Sequence, residues 1–212
     1  MPDGVQRVIG LLGSLILLPF VVVLTGLVRA TSPGPSIYRA IRIGAGGRPF
    51  TCYKLRTMRE EAASVGPAIS TAGDPRITRL GALLRRRRLD ELPQLWNVAR
   101  GEMRLVGPRP EAPEFVELDD PLGRAVFTQK PGITGATQLL FADEAALLAG
   151  DSPVTVYRER ILPAKLRVDA AYFAHRSAGL DLWLLGQTFR VMLGRPPRPE
   201  VVRARVGLRD AA

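Results

Sequence analysis

The chain has 212 residues, enough for one compact domain and an appendage. Its formal net charge is +10, and its basic residues are almost all arginine, the lysines being Lys54, Lys130 and Lys165; arginine grips phosphate bidentately, so the partners to expect carry phosphate, whether nucleic acid, anionic lipid or nucleotide. One cysteine, Cys52, and one histidine, His175, exclude an intrachain disulfide and a Cys/His zinc cluster, favour a reducing compartment and leave oxygen ligands for any metal ion.

Residues 8–28, VIGLLGSLILLPFVVVLTGLV, carry no charge and are long enough for a helix to cross a bilayer core of about 30 Å. A cleaved signal peptide would have a shorter apolar core and a small-residue cleavage site; this run ends at Arg29 without one. Pro19 sits mid-run and predicts a kink or break. Arg7 and Arg29 flank the run, which favours keeping both ends in the cytoplasm. Two topologies follow: a broken helix that enters and leaves the same leaflet, and a kinked single span.

After a turn-rich exit at 31–38, residues 36–58 read as two short strands around the glycine turn Gly44–Gly47, with Lys54 and Arg56 on one strand face. Residues 59–75 read as a loop. A basic amphipathic helix is expected from about Ile77, with Ile77, Leu80, Leu83 and Leu84 on one side, and a further helical turn after Pro93. GEMRLVGPRPEAPEF should be extended, and KPGITGATQ (130–138) a Gly/Pro loop. Residues 157–193 read as helices interrupted near Pro163 and Gly179, and GRPPRPEVVRARVGLRDAA as a loose tail.

The densest chemistry lies in RRRRLDELPQLWNV (85–98), where Arg85–Arg88 run almost directly into Asp90 and Glu91. If the helix reached that far, Asp90 would face Arg86 and Glu91 would face Arg87, each four residues on. A surface salt-bridge ladder accounts for that spacing. Guanidinium groups nearby also favour ionised carboxylates, which suits Asp90 to act as an anion, either nucleophile or metal ligand. Lys54, Arg56, Arg104 and Arg109 lie in or beside Gly/Pro-rich segments, and Pro108 and Pro110 restrict the backbone on both sides of Arg109. Neither RIGAGG nor PGITG matches a phosphate-binding glycine pattern.

Together the stretches RIGAGGRPFTCYKLRTM, DPRITRLGALLRRRRLDELPQLWNVARGEMRLVGPRPE, KPGITGATQ and ILPAKLRVDAAY resemble the bacterial sugar transferases, the monotopic polyprenyl-phosphate phosphoglycosyl transferases. The resemblance covers most of residues 30–190, and LDELPQLWNV followed by GEMRLVGPRP is its most specific part. It implies a helix-rich α/β domain with a small β-hairpin, membrane-associated and monotopic, with a re-entrant helix in residues 1–34, the catalytic domain in 35–194, a loose tail in 195–212 and amphipathic helices on the membrane surface. It implies transfer of a sugar-1-phosphate from a UDP-sugar to undecaprenyl phosphate at the cytoplasmic face of the bacterial inner membrane. UMP leaves, and surface polysaccharide or glycoconjugate assembly begins. Partners would be UDP-sugar, undecaprenyl phosphate, membrane lipid and downstream glycosyltransferases, with no role for nucleic acid. The family's acidic pair falls on Asp90 and Glu91, Asp90 as nucleophile and both as ligands of Mg²⁺ or Mn²⁺. Lys54, Arg56, Arg88, Arg109 and Gln138 are the substrate-binding residues it implies. The chain departs from many relatives in having Leu18–Pro19 where they have Ser-Pro, Arg104 where they have Ser, and Ala136-Thr137-Gln138 where they have Trp-Ala-Gln. A non-catalytic, membrane-anchored basic protein binding nucleic acid or anionic lipid is the first rival, and a nucleotide-sugar hydrolase the second.

Overall fold

The computed structural model describes residues 1–60, 66, 69–148 and 152–208. The loop expected at 59–75 therefore lies partly outside the described residues. The first element, α1 (Asp3–Thr31), is one 29-residue helix that continues through Pro19. Its most apolar window has a mean hydropathy of 2.6, long and apolar enough to cross a membrane. Most of its surface is bare: Leu15, Ile16, Val22 and Val23 are all more than half exposed. Such a helix is not a water-facing element.

One narrow face of α1 does pack on the domain. Asp3 pairs with Arg104 at 2.9 Å and with Lys130 at 2.8 Å. The buried Gln6 accepts a 3.0 Å hydrogen bond from the backbone N–H of Leu105. Farther along, Leu24 and Val28 join Leu55 and Leu84 in a small apolar cluster. Both ends of the helix therefore touch the same domain.

The hairpin appears as expected, β1 (Ile37–Ile43) antiparallel to β2 (Pro49–Leu55), with Ile37 opposite Leu55 and Tyr38 opposite Lys54. Next come α2 (Arg79–Arg86), capped by the Thr78 hydroxyl, and α3 (Gln94–Arg100). A parallel pair follows, β3 (Arg104–Val106) in the segment expected to be extended, beside β4 (Gly132–Thr134) in the segment read as a Gly/Pro loop. Gly132 makes this pairing possible, because a Cβ there would come within 2.1 Å of the Gly107 nitrogen. Between the two strands lies α4 (Pro121–Phe127), and α5 (Ala136–Leu140) and α6 (Glu144–Leu147) follow β4.

The interruption expected near Pro163 does not occur. Helix α7 (Pro153–Val156) passes through a π-helical segment, Tyr157–Ile161, into α8 (Leu162–Ala174). The wider i→i+5 turn just ahead of the proline lets the helix continue where an ordinary turn would clash. The actual break falls at His175–Ser177, where the Ser177 hydroxyl caps α9 (Ala178–Met192). The expected loose tail is helical over α10 (Pro199–Arg205). Val202 and Val206, four apart, are fully buried in the main core with Val98, Leu105 and Leu184; that apolar pair outweighs the polar composition around it.

Gly10 seats α1 on α3, since a Cβ there would lie 2.8 Å from the Ala99 nitrogen and 2.9 Å from Val98 Cγ1. Gly26, on the same helix, has open space around it. Gly10→Ala should therefore destabilise the folded protein by about 1–3 kcal/mol. Gly26→Ala should be neutral or stabilising by about 0.5–1 kcal/mol. Thermal unfolding of both variants in the same detergent checks the contrast.

Candidate active site

The acidic pair is not on a helix. Helix α2 ends at Arg86, and Arg88 takes up a left-handed conformation (φ 53, ψ 22) that turns the chain into a 3₁₀ segment, Leu89–Glu91. Among the described residues Arg88 is the only non-glycine with positive φ. That conformation is strained for a residue with a Cβ. It buries both carboxylates, with Asp90 and Glu91 each less than one-tenth exposed. The i,i+4 ladder with Arg86 and Arg87 does not form.

The four arginines diverge. Arg85 donates to the Thr57 hydroxyl at 2.8 Å and the Ser70 hydroxyl at 2.9 Å. Arg86 is exposed, and Arg87 donates to the Met192 carbonyl at the end of α9. Arg88 alone turns to the acidic pair, 3.7 Å from Glu91 Oε2, while also donating to the Gln138 carbonyl.

Three cations from three separate elements converge on Glu91. Lys54 of β2 lies 3.5 Å from Oε1, Arg109 of the proline-flanked segment donates to the same oxygen at 3.2 Å, and Arg88 faces Oε2. Burial alone would raise the Glu91 carboxyl, but the charges of Lys54, Arg109 and Arg88 and the Arg109 hydrogen bond outweigh it and hold it at about 2. The three cations thus favour Glu91 as the anion. Burial, and then the neighbouring Glu91 charge, raise Asp90 above the ordinary carboxylate range against Lys54, Arg85 and Arg109. Among the described residues none is ion-paired to Asp90. The sequence reading had the arginines holding Asp90 ionised; in the fold Arg88 pairs with Glu91, Arg85 still favours the Asp90 anion without an ion pair, and the Asp90 carboxylate is left uncommitted. Burial lowers the ammonium of Lys54, with Arg109 adding to the effect and Glu91 opposing it.

Two residues of the expected substrate set lie elsewhere. Arg56 is buried and spent on the exit of α1, donating to the Ser32 carbonyl at 2.7 Å and to the Pro33 carbonyl. Its position two residues from Lys54 on an apparently shared face misled, because β2 ends at Leu55. The Gln138 side chain is buried and turned back toward the Gly132 carbonyl, and it is its main chain that holds Arg88.

Sequence reasoning missed the residues that aim the site. Lys165 on α8 reaches Glu111 Oε1 at 3.0 Å, Glu144 Oε2 at 2.8 Å and the Tyr157 hydroxyl at 2.8 Å. Glu111 ends the segment that carries Arg109. One turn later on α8, Asp169 accepts from the Thr137 hydroxyl, next to Gln138. Lys165 and Asp169 therefore tie both loops around the acidic pair to one helix. The available signals were their spacing of four and their place within ILPAKLRVDAAY, one of the stretches that carry the family resemblance. Asn97 does similar work: its side chain accepts from the Tyr53 N–H at 3.1 Å and donates to the Thr51 carbonyl and Glu102 at 2.7 Å.

No group of three His, Cys, Asp or Glu side chains that could hold a metal occurs among the described residues. Mg²⁺ commonly takes one or two carboxylates and completes its shell with water and substrate phosphate. Asp90 and Glu91 match that requirement, with Asp90 the carboxylate not already paired.

The site is thus an uncommitted buried carboxylate inside a cationic cluster, next to a domain on which a bare apolar helix packs. The chain belongs to the bacterial sugar transferase family, whose model matches residues 3–195. It is similar to a UDP-glucose:undecaprenyl-phosphate glucose-1-phosphate transferase of Xanthomonas campestris, 34% identical over 201 residues, covering 92% of this chain and 38% of the relative. A UDP-galactose-lipid carrier transferase of Erwinia amylovora is 36% identical over 211 residues, 90% of this chain and 40% of that protein. A UDP-N-acetylgalactosamine-undecaprenyl-phosphate N-acetylgalactosaminephosphotransferase of Aeromonas hydrophila is 35% identical over 178 residues, 82% of this chain and 39% of its own. The chain thus spans about two-fifths of the length of these relatives.

The strained bend gives a test. Arg88→Gly relieves the left-handed backbone, worth about 1–2 kcal/mol, but removes the guanidinium. Arg88→Ala removes the guanidinium and keeps the strain. Arg88→Gly should unfold at a higher temperature than Arg88→Ala, since both lose the guanidinium and only the first relieves the backbone. Equal stabilities would show that the bend carries no strain.

Proposed function

We propose that this protein transfers a sugar-1-phosphate from a UDP-sugar to undecaprenyl phosphate at the cytoplasmic face of the bacterial inner membrane. UMP is released and the lipid diphosphate sugar begins assembly of a surface polysaccharide or related glycoconjugate. The observation that carries this reading is the asymmetry of the acidic pair: Glu91 is bound by three cations and Asp90 is uncommitted. Family membership and the names of the relatives supply the substrate class.

The residues suit a two-step displacement. An Asp90 oxygen attacks the phosphorus that carries the sugar, and the bond from that phosphorus to the oxygen shared with UMP breaks. UMP departs with the electron pair, leaving an acyl phosphate that bears the sugar. A phosphate oxygen of undecaprenyl phosphate then attacks the same phosphorus, and the Asp90 carboxylate is regenerated. Lys54, Arg88 and Arg109 draw a diphosphate into the site and oppose its charge. Glu91 keeps those cations in position. A Mg²⁺ or Mn²⁺ ion held by Asp90 and Glu91 would add neutralisation of the diphosphate and the leaving group. A non-catalytic basic protein has no use for an unpaired carboxylate buried among its cations, since such a group weakens anion binding.

A monotopic topology, with both ends of α1 on the cytoplasmic side, is part of the proposal; since α1 continues unbroken through Pro19, it does not rest on the helix break expected from the sequence. Helix α1 is ~44 Å long, yet Asp3 and Gln6 at one end and Leu24 and Val28 at the other all contact the same domain. A perpendicular span would separate them by a hydrocarbon core of about 30 Å. On α9, Leu182, Phe189 and Leu193 form an exposed apolar stripe suited to the membrane surface. Cysteines introduced as Gly4→Cys and Pro35→Cys should both be shielded from an impermeant maleimide in intact cells, Cys52 being buried and silent. Labelling at residue 4 alone would establish a span.

The chemical test is a half-reaction. With UDP-sugar and Mg²⁺ but no lipid, purified protein should release one equivalent of UMP in a burst and exchange labelled UMP into UDP-sugar. Asp90→Asn should abolish both. Direct attack by the lipid phosphate allows neither, so their absence from the unmodified protein would overturn the covalent mechanism.

A further inference from the structure

A slot of about 90 Å³ opens beside the acidic pair, lined by Arg88 and Glu91, by Thr188, whose hydroxyl donates to the Leu184 carbonyl at 3.0 Å, and by Leu92, Leu95, Ile133 and Met192. The two charged residues belong to the site already described. The four apolar ones come from three elements: the turn into α3, β4 and the end of α9. Neither the nucleotide nor the sugar, both densely polar, would gain from such walls.

We propose that this slot holds the first isoprenoid unit of the acceptor lipid, with the lipid's phosphate against Arg88; the assignment rests on the transferase reading above. Three observations converge on that occupant. Charge and apolar surface meet within one small cavity, which matches the junction between a phosphate head and a hydrocarbon chain. At about 90 Å³ the slot is smaller than the roughly 150 Å³ apolar cavity that accommodates benzene, so it encloses only part of a hydrocarbon chain and no ring-sized group. The slot also adjoins the membrane-facing surface: Leu95 packs against Gly13 of α1, whose outer face is bare, and Met192 lies at the end of the helix bearing the exposed Leu182–Phe189–Leu193 stripe. A chain leaving the slot therefore meets lipid-facing side chains and not water. The slot sets where along the lipid the reaction occurs, and the remaining chain stays in the bilayer.

The test fills the slot from two sides, with Ile133→Phe on β4 and Met192→Phe on α9. Each variant is assayed for UMP exchange without lipid and for product formation with undecaprenyl phosphate or with a five-carbon prenyl phosphate. The expected result is at least a tenfold rise in KM for both acceptors, equal in proportion, with lipid-free exchange within twofold of the unmodified protein. A penalty confined to undecaprenyl phosphate would place the distal chain here and overturn the assignment. Loss of exchange in both variants would make the slot part of the donor site and overturn it as well. Absence of exchange and of lipid product in the unmodified protein would instead sink the transferase reading, and this inference with it.

Discussion

The fold is organised around the charge of Glu91. A carboxylate this deeply buried is unfavourable by itself, and breaking a buried ion pair costs about 3–5 kcal/mol. Three cations offset that penalty, and each arrives on a different part of the chain: Lys54 on β2, Arg88 on the bend after α2, and Arg109 between two prolines. Satisfying one carboxylate therefore fixes the hairpin, the arginine-rich helix and the proline segment relative to each other. With these cations paired to Glu91, Asp90 is left without an ion pair, although Lys54, Arg85 and Arg109 still favour its anion. What reads in the sequence as a symmetrical acidic pair is in the folded protein a structural anion next to a chemically available one.

The supporting shell follows the same logic one layer out. Arg109 is held by Glu91, and Glu111 on its own segment adds a second negative charge nearby. Glu111 in turn is fixed by Lys165, which also meets Glu144 and Tyr157. Asp169, a turn later on α8, holds Thr137 and through it the main chain that binds Arg88. Such connected polar networks are costly when incomplete and rigid when complete. The continuous helix through Tyr157–Ala174 matters for this reason: a break at Pro163 would have separated Tyr157 from Lys165.

The membrane and the site are joined through α1 and α3. Gly10 and Gly13 bring the apolar helix against α3, whose first residues lie just after Glu91. A substrate with a hydrocarbon tail and a phosphate head can then present its head to the cations without its tail leaving an apolar environment. A soluble nucleotide-sugar enzyme has no need of this arrangement.

Much of this was determined by the sequence alone. The 21-residue apolar run, the hairpin around Gly44–Gly47, the amphipathic helix after Thr78 and the family resemblance of LDELPQLWNV depend on local pattern, and local pattern survives without coordinates. The acidic pair was legible only through that resemblance, because by spacing alone a surface salt-bridge ladder accounts for it. Only the tertiary structure decided which carboxylate is paired and where each arginine goes. A helix running through Glu91 would have matched Arg86 with Asp90; the left-handed bend at Arg88 rotated the pair into the interior instead. Arg56 looked equivalent to Lys54 until the strand ended between them, and the β3–β4 pairing and the burial of Val202 join segments far apart in sequence. These outcomes turn on long-range contacts and one strained backbone angle, neither of which leaves a periodic trace in the chain.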